Sequence, residues 1–401
     1  MGISRYRKPL LSCAIILAVL LPVSGGAIVR IRATSSWSAL EAKAASLEIL
    51  LQQRDYHRKA LWGETHAGAA FDGYTRALEL AEEMTADAGL IADTLPHRAD
   101  HESAATDALR ARWQEAMLLL QSSAHCVDAR PTETFSRVGG LGRQAFSAAR
   151  MLVNMMVLEV RHLRVSGKHR QAVELSLDAA AFGADYARSG SLLQQMFGSC
   201  LVAIAVHEAW PDEALQMLDC DSLGLLSDGM AHLAALLPST IDYLGEQRFM
   251  VRSALAEPLA SSDAANGSLL RYGFSSRWMV ADRLGRMMAC YERLAALPKD
   301  QPWPQREIAM QDEMDGFAVL NGSLCQVILP NLLAAETTLR TVHAEVLLLG
   351  MATDWRRGNV PPLVHDPMGN GPIAMDQVGD ELAVYSHASY RGQPLHRCVT
   401  R

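Results

Sequence analysis

Lysine is nearly missing from this sequence. Five lysines stand beside 32 arginines among 401 residues, a skew that, with abundant alanine, reflects a high-GC bacterial genome. Aromatic side chains are scarce, at 6%, and strands favour aromatic and β-branched residues, so the shortage disfavours a sheet-rich fold. Glycine (28) and proline (16) are too few for a collagen-like or low-complexity chain, and an apolar content of 49% excludes disorder. Catalytic signatures are missing too: there is no G-x-S-x-G elbow, no S-x-x-K, no HEXXH, no C-x-x-C and no phosphate loop ending in G-K-S or G-K-T. What remains is rich in Ala, Leu and Met, which lose little rotamer freedom in a helix, and is long enough for a large core. The composition predicts an all-α fold.

One long apolar run is present, at the N-terminus. Arg5, Arg7 and Lys8 precede an uncharged stretch over residues 9–29, and Arg30 and Arg32 close it. As a helix, that stretch reaches about 31 Å, the thickness of a bilayer's hydrocarbon core. The cations before the run place the N-terminus in the cytoplasm and the rest outside, so residues 1–33 are expected to form a single-pass inner-membrane anchor. The competing expectation is a signal peptide cleaved near Gly26, which would release the remainder. Leu10-Leu11-Ser12-Cys13 mimics a lipobox but stands before the apolar region instead of after it. Without the three leading cations, 34 of the 37 Lys and Arg face 44 Asp and Glu, so the exported part carries about −10 and would repel a nucleic acid.

Residues 34–360 read as a helical array. Apolar spacing predicts helices over 35–53, 69–84, 102–121, 144–165, 170–187, 191–210, 221–237, 239–256, 275–297 and 331–357, with a short one after Pro211. Ser189-Gly190 joins two of them as an αα-hairpin. The uncharged run 189–206 raises a second membrane span, but Gln194, Gln195 and Ser199 within it favour a buried core helix. Residues 257–275 read as a surface loop and 298–306 as a linker. Pro361-Pro362 ends the helical part, and in the tail, 361–401, Ile373 to Met375 and Leu382 to Tyr385 around Gly379-Asp380 predict a small β-hairpin. No 34-residue period is present, which leaves an irregular α-solenoid or a helical bundle.

Few residues suggest chemistry. Cys126, Cys200, Cys220, Cys290, Cys325 and Cys398 lie beyond the anchor; in an oxidising compartment they could form three bridges, although free cysteines acting as small hydrophobes are the favoured reading, Cys200 among them as a buried one. His97 and His101 share a helix face, yet a polar helix start is more often solvated than metallated. His365, Asp366, His387 and His396 fall together in the tail and read as surface groups. His125 precedes Cys126, but sequence neighbours rarely point at each other. Gly139 to Gly142 read as a flexible helix entry, and Asn266-Gly267-Ser268 and Asn321-Gly322-Ser323 as turns. No catalytic, cofactor-binding or metal-ligating residue is assigned, and no cofactor is expected.

In its order of features the chain resembles an uncharacterised group of membrane-anchored α-helical envelope proteins of high-GC bacteria. The resemblance rests on Leu61-Trp62-Gly63-Glu64 and Phe71-Asp72-Gly73-Tyr74 after the anchor, on Gly167 to Ala172 and Gly190 to Leu193, and on Asp366-Pro367-Met368-Gly369-Asn370-Gly371-Pro372 near the end. That last segment is similar to the C-terminal hairpin of type II secretion major pseudopilins. Their Asp-rich calcium loop is not matched, because His387-Ala388-Ser389-Tyr390-Arg391 supplies no acidic ligand. The resemblance implies an architecture and no activity.

Two functional expectations follow. The first is a membrane-anchored extracytoplasmic helical scaffold that meets a protein partner, because one anchor, many amphipathic helices and no catalytic motif are present. The second is an envelope hydrolase whose acid and histidine site is gathered from distant helices. Convergence of Glu64, His97, His101, Asp366 and the tail histidines in one cleft would favour the second.

Overall fold

The computed structural model describes residues 37–84, 104–132, 143–256, 277–321, 323–390 and 393–401. Residues 9–29, His97, His101, Gly139 to Gly142 and the sequon at Asn266 lie outside the described residues, as does the Cys325 side chain. Contacts divide the chain into two units, one taking the chain up to Gln53 with Met250–Glu292, the other Arg54–Phe249 with Arg293–Arg401.

After a first helix, α1 (residues 37–52), the elements run β1 (His66–Ala69), α2 (Ala70–Glu83), α3 (Ala104–Ala124), β2 (Cys126–Asp128), α4 (Arg143–Val165), α5 (His169–Ala187), α6 (Leu192–Ala203), α7 (Asp212–Leu215), α8 (Cys220–Leu236), α9 (Tyr243–Ala256), α10 (Arg277–Ala296), α11 (Trp303–Asn321), α12 (Ser323–Arg356), β3 (Ala374–Val378), β4 (Glu381–Tyr390) and β5 (Gln393–Thr400). In the first unit α1 buries Leu40, Leu47 and Leu51 at helical spacing. Lys43 pairs there with Glu292 at 2.6 Å, and Glu48 with Arg252 at 2.7 Å.

The second unit is a bundle and not a solenoid. A solenoid repeat meets only its neighbours, whereas α5 packs against α3, α4, α6 and α8, and α12 against α6, α8 and α11. Its sequence explains why α5 sits at the centre: Ala172, Val173, Leu175, Leu177, Ala179 to Phe182, Ala184, Tyr186 and Ala187 are all buried, covering the helix all round. Ser191 starts α6 with a capping box, its side chain accepting from the Gln194 N–H while Gln194 reaches back to the Ser191 N–H. The polar residues of the 189–206 run are indeed interior. Gln195 donates to the carbonyls of Gly190 (3.1 Å) and Asp242 (3.0 Å) and accepts from the Asp242 N–H at 2.7 Å. Among the described residues no helix is long and apolar enough to cross a membrane.

Among the described residues, three buried ion-pair networks pin the bundle. Arg58 and Asp185, both with fully buried side chains, form a forked pair that Tyr74 joins at 2.9 Å and the Ala124 carbonyl completes. Glu336 binds both Arg306 and Arg340. Arg397 of β5 reaches Glu345 of α12, Asp212 and the Trp210 carbonyl. Through that last network, and through Leu382, Val384, Leu395 and Val399 in the common core, the C-terminal sheet belongs to the second unit with the helices.

Several expectations are corrected. The tail carries three antiparallel strands in the order β3-β4-β5, the expected hairpin plus one strand more. A short parallel pair, β1 with β2, was not signalled. Residues 298–306 are not all linker, because α11 begins at Trp303 with Pro304 in its first turn, where a missing N–H costs nothing. The last helix starts at Ser323 rather than near 331 and runs on through Pro330, forgoing one backbone donor. It ends in a Schellman turn: Gly358 takes φ +85°, and the Asn359 N–H bonds the Asp354 carbonyl at 3.0 Å. The helix expected over 191–210 gives way to a π turn at Ile204–Glu208. Cys200 lies on an exposed position of α6, not in the core, while Cys290 is buried; the described cysteines are free thiols.

Candidate functional site

A cleft of the second unit, about 880 Å³, is walled by α3, α4 and α5 and by the turn over residues 62–66. Its position follows from local sequence. Gly63 adopts φ +63°, a left-handed conformation open to glycine, and this lets the turn fold around the ring of His125. The ladder of β1 with β2 then places His66 beside Cys126, and the His66 N–H bonds the His125 carbonyl at 2.8 Å.

His125, just past α3, is the hub. Its Nδ1 lies 3.0 Å from the Glu64 carbonyl and its Nε2 lies 3.2 Å from Oδ1 of Asp178 on α5. Trp62 packs edge-on against the imidazole with centroids 4.6 Å apart, and its indole N–H donates to the same Asp178 oxygen at 2.7 Å. Burial pushes the Asp178 carboxyl up to about 6, against the opposing pull of its bonds from His125 and Trp62. The hydrogen bond to Asp178 raises the His125 pKa, outweighing burial. A carbonyl and a carboxylate both accept, so each ring nitrogen of His125 faces an acceptor. A ring held in this way has both nitrogens engaged by the protein.

Across the cleft, Arg110 of α3 forks onto Glu159 of α4, with Nη2 to Oε1 at 2.8 Å, and contacts Asp107 at 3.2 Å. Glu174 pairs with Arg170 at 2.9 Å on the α5 side. Gln114, Gln121 and Gln171 add amides, and Met117, Leu118 and Leu163 add apolar surface. A second, shallower groove of about 550 Å³ shares Ala111, Gln114, Leu118 and Ser122 with the first, so both open along one stripe of α3. Leu118 on that stripe is 55% exposed.

Of the residues whose convergence would have favoured an enzyme, Glu64 lines the cleft. Asp366 does not: it is fully buried near the C-terminal sheet, where it accepts from Ser386, from the backbone N–H groups of Met368 and His387, and pairs with His387 Nδ1 at 2.8 Å. Burial opposes its ionisation, but those bonds prevail and hold its pKa below the usual carboxylate value. His365 bridges to Pro372 and His396 stacks on Tyr385. Asp366 is thus the anchor of the 366–372 turn. His125 and Cys126 part company as neighbours should, since the Cys126 thiol lies toward the Ser122 carbonyl at 3.7 Å and burial raises its pKa. Sequence reasoning weighed His125 only against Cys126 and passed over its pairing with Asp178, whose members lie in different elements with no fixed spacing; the Trp62-Gly63-Glu64 turn was the other signal near it. Among the described residues no group of three or more His, Cys, Asp or Glu is placed to hold a metal ion.

In comparisons with protein families, curated proteins and solved structures, nothing matches this chain.

Proposed function

We propose that the chain is a membrane-anchored, extracytoplasmic helical scaffold that holds a segment of a protein partner in the cleft between α3, α4 and α5. The observation that carries this reading is the state of the cleft: it is large and open, yet its histidine has both ring nitrogens engaged, and the Ser122 hydroxyl in its lining donates to the Leu119 carbonyl and not to the imidazole. Amides, carboxylates and apolar side chains mixed along one helix suit a peptide surface better than a reacting atom. The anchor over residues 9–29, or release by cleavage near Gly26, sets where the partner is met.

The test is co-isolation. Full-length protein extracted from envelopes is expected to remain in the membrane fraction and to carry a stoichiometric partner, which an Ala111→Trp variant obstructing the cleft loses. Recovery in a soluble fraction with an N-terminus near Gly26 contradicts the anchor alone. Hydrolysis of an ester, phosphoester or peptide substrate that disappears in His125→Asn contradicts the scaffold and restores the hydrolase reading.

A further inference from the structure

The His125 ring ties a surface turn to the body of the bundle. Nδ1 meets the Glu64 carbonyl of the turn over residues 62–66 at 3.0 Å, and Nε2 meets Oδ1 of Asp178 on α5 at 3.2 Å. A neutral imidazole carries one N–H and can donate to only one of these two acceptors, whereas the imidazolium donates to both. The turn is exposed from Gly63 to His66 and forms one wall of the cleft. Gly63, at φ +63°, lets the chain bend there. The turn is tied further by the Trp62 indole on Asp178, by Thr65 accepting from the Ala60 N–H at 2.9 Å, and by the His66 N–H on the His125 carbonyl at 2.8 Å.

The charges around the ring set the direction of its response. Asp178 favours the imidazolium, Arg58 opposes it, and Glu174 on α5 adds its charge to the field on Asp178. The His66 ring lies 6.0 Å away between centroids, and Glu64 is exposed on the same turn. Cys126 on β2 is kept as the thiol by burial, and Arg110 and Glu159 on the opposite walls close on each other. The balance raises the His125 pKa above its ordinary 6.5, chiefly through the Asp178 hydrogen bond. The pair of bonds is therefore complete below that ordinary value and is lost as the pH climbs through the raised one.

We propose that the turn over residues 62–66 is a pH-operated latch on the cleft, closed while the His125 ring carries two protons and released when it loses one. The remaining proton stays on Nε2, because a carboxylate is a stronger acceptor than a carbonyl. The Nδ1 lone pair then faces the Glu64 carbonyl oxygen, the two repel, and the turn swings outward about Gly63, widening the cleft on that side. The latch needs only the ring and its two acceptors, and works whatever the cleft holds.

Hydrogen exchange of the full-length protein in detergent micelles, read by mass spectrometry as protection factors so that the intrinsic acceleration with pH divides out, tests the latch. The reporter is the segment 62–66, whose His66 N–H bonds the His125 carbonyl, and β4 is the reference. Between about pH 6 and about pH 8.5, protection of the segment is expected to fall about tenfold relative to β4, as one hydrogen bond from a charged donor is lost. His125→Gln, which does not titrate, should show low protection at both pH values. His66→Gln alters an exposed neighbouring ring and should keep the full fall; it decides between the two histidines if His125→Gln does not fold. Constant protection in the native protein, a fall that survives His125→Gln, or a fall abolished by His66→Gln would each overturn the proposal.

Discussion

Glu246 is a carboxylate with little water around it. Burial pushes its pKa up to about 7, only partly offset by the Leu192 N–H that it accepts at 2.6 Å. An acid whose pKa is raised on folding binds more protons folded than unfolded, so between about 4.5 and 7 stability falls as the pH rises. Asp178 acts in the same direction up to about 6. Glu246→Gln keeps an acceptor for Leu192 and removes the buried charge. The variant should therefore be more stable than the native protein by about 2 kcal/mol at pH 8 and nearly equal to it at pH 5. Urea unfolding at the two pH values checks this; the same difference at both would show that the carboxylate is not titrating as described. Nothing in the local sequence marks this residue, since its burial is created by the packing of α9 on the turn before α6.

At the scale of elements, the tightest joint is the αα-hairpin of α5 and α6. A Cβ at Gly198 would lie 2.2 Å from the Ala187 nitrogen and 2.6 Å from the Gly183 carbonyl, both backbone atoms with no freedom to rotate away. Gly198→Ala should destabilise the protein by about 3 kcal/mol. At Gly285 in α10 a Cβ meets nothing within 4 Å, and Gly285→Ala should instead stabilise by up to about 1 kcal/mol. Chemical denaturation of the two variants should move in opposite directions; parallel shifts would contradict the packing. The hairpin itself was legible, because Ser189-Gly190 and the Ser191-x-x-Gln194 box are local signals. The strand turn at Gly379-Asp380 was legible for the same reason. Helix α11 was not: Met310, Met314 and Phe317 form its buried face, but Ile308 is exposed and acidic residues crowd the intervals, which blurs the apolar period. The β1–β2 pair was hidden because its strands are short and about sixty residues apart, so its ladder is a long-range contact.

For the whole molecule, the described residues are mostly helical, as the composition predicts, with a C-terminal sheet of three strands where a hairpin is expected, and the choice between solenoid and bundle falls to the bundle in the second unit because α5 and α12 touch elements far from them in sequence. The candidate site shows the limit of sequence reasoning most clearly. Glu64 was singled out, but the group that organises the cleft is His125 with Asp178 and Trp62, drawn from a turn, a helix end and the middle of a buried helix. Periodicity placed α5 in the core; it gave no means of telling that Asp178 on that helix opens into a cleft.

The central claim, that a partner segment docks between α3, α4 and α5, is tested most directly by photocrosslinking in cells. A benzoylphenylalanine at Leu118 or Gln114, which line the cleft, is compared with one at Val378, exposed at 78% on the C-terminal sheet. Docking in the cleft predicts one discrete adduct from Leu118 and Gln114 and none from Val378. An adduct from Val378 alone, or no adduct from either cleft position, would contradict it.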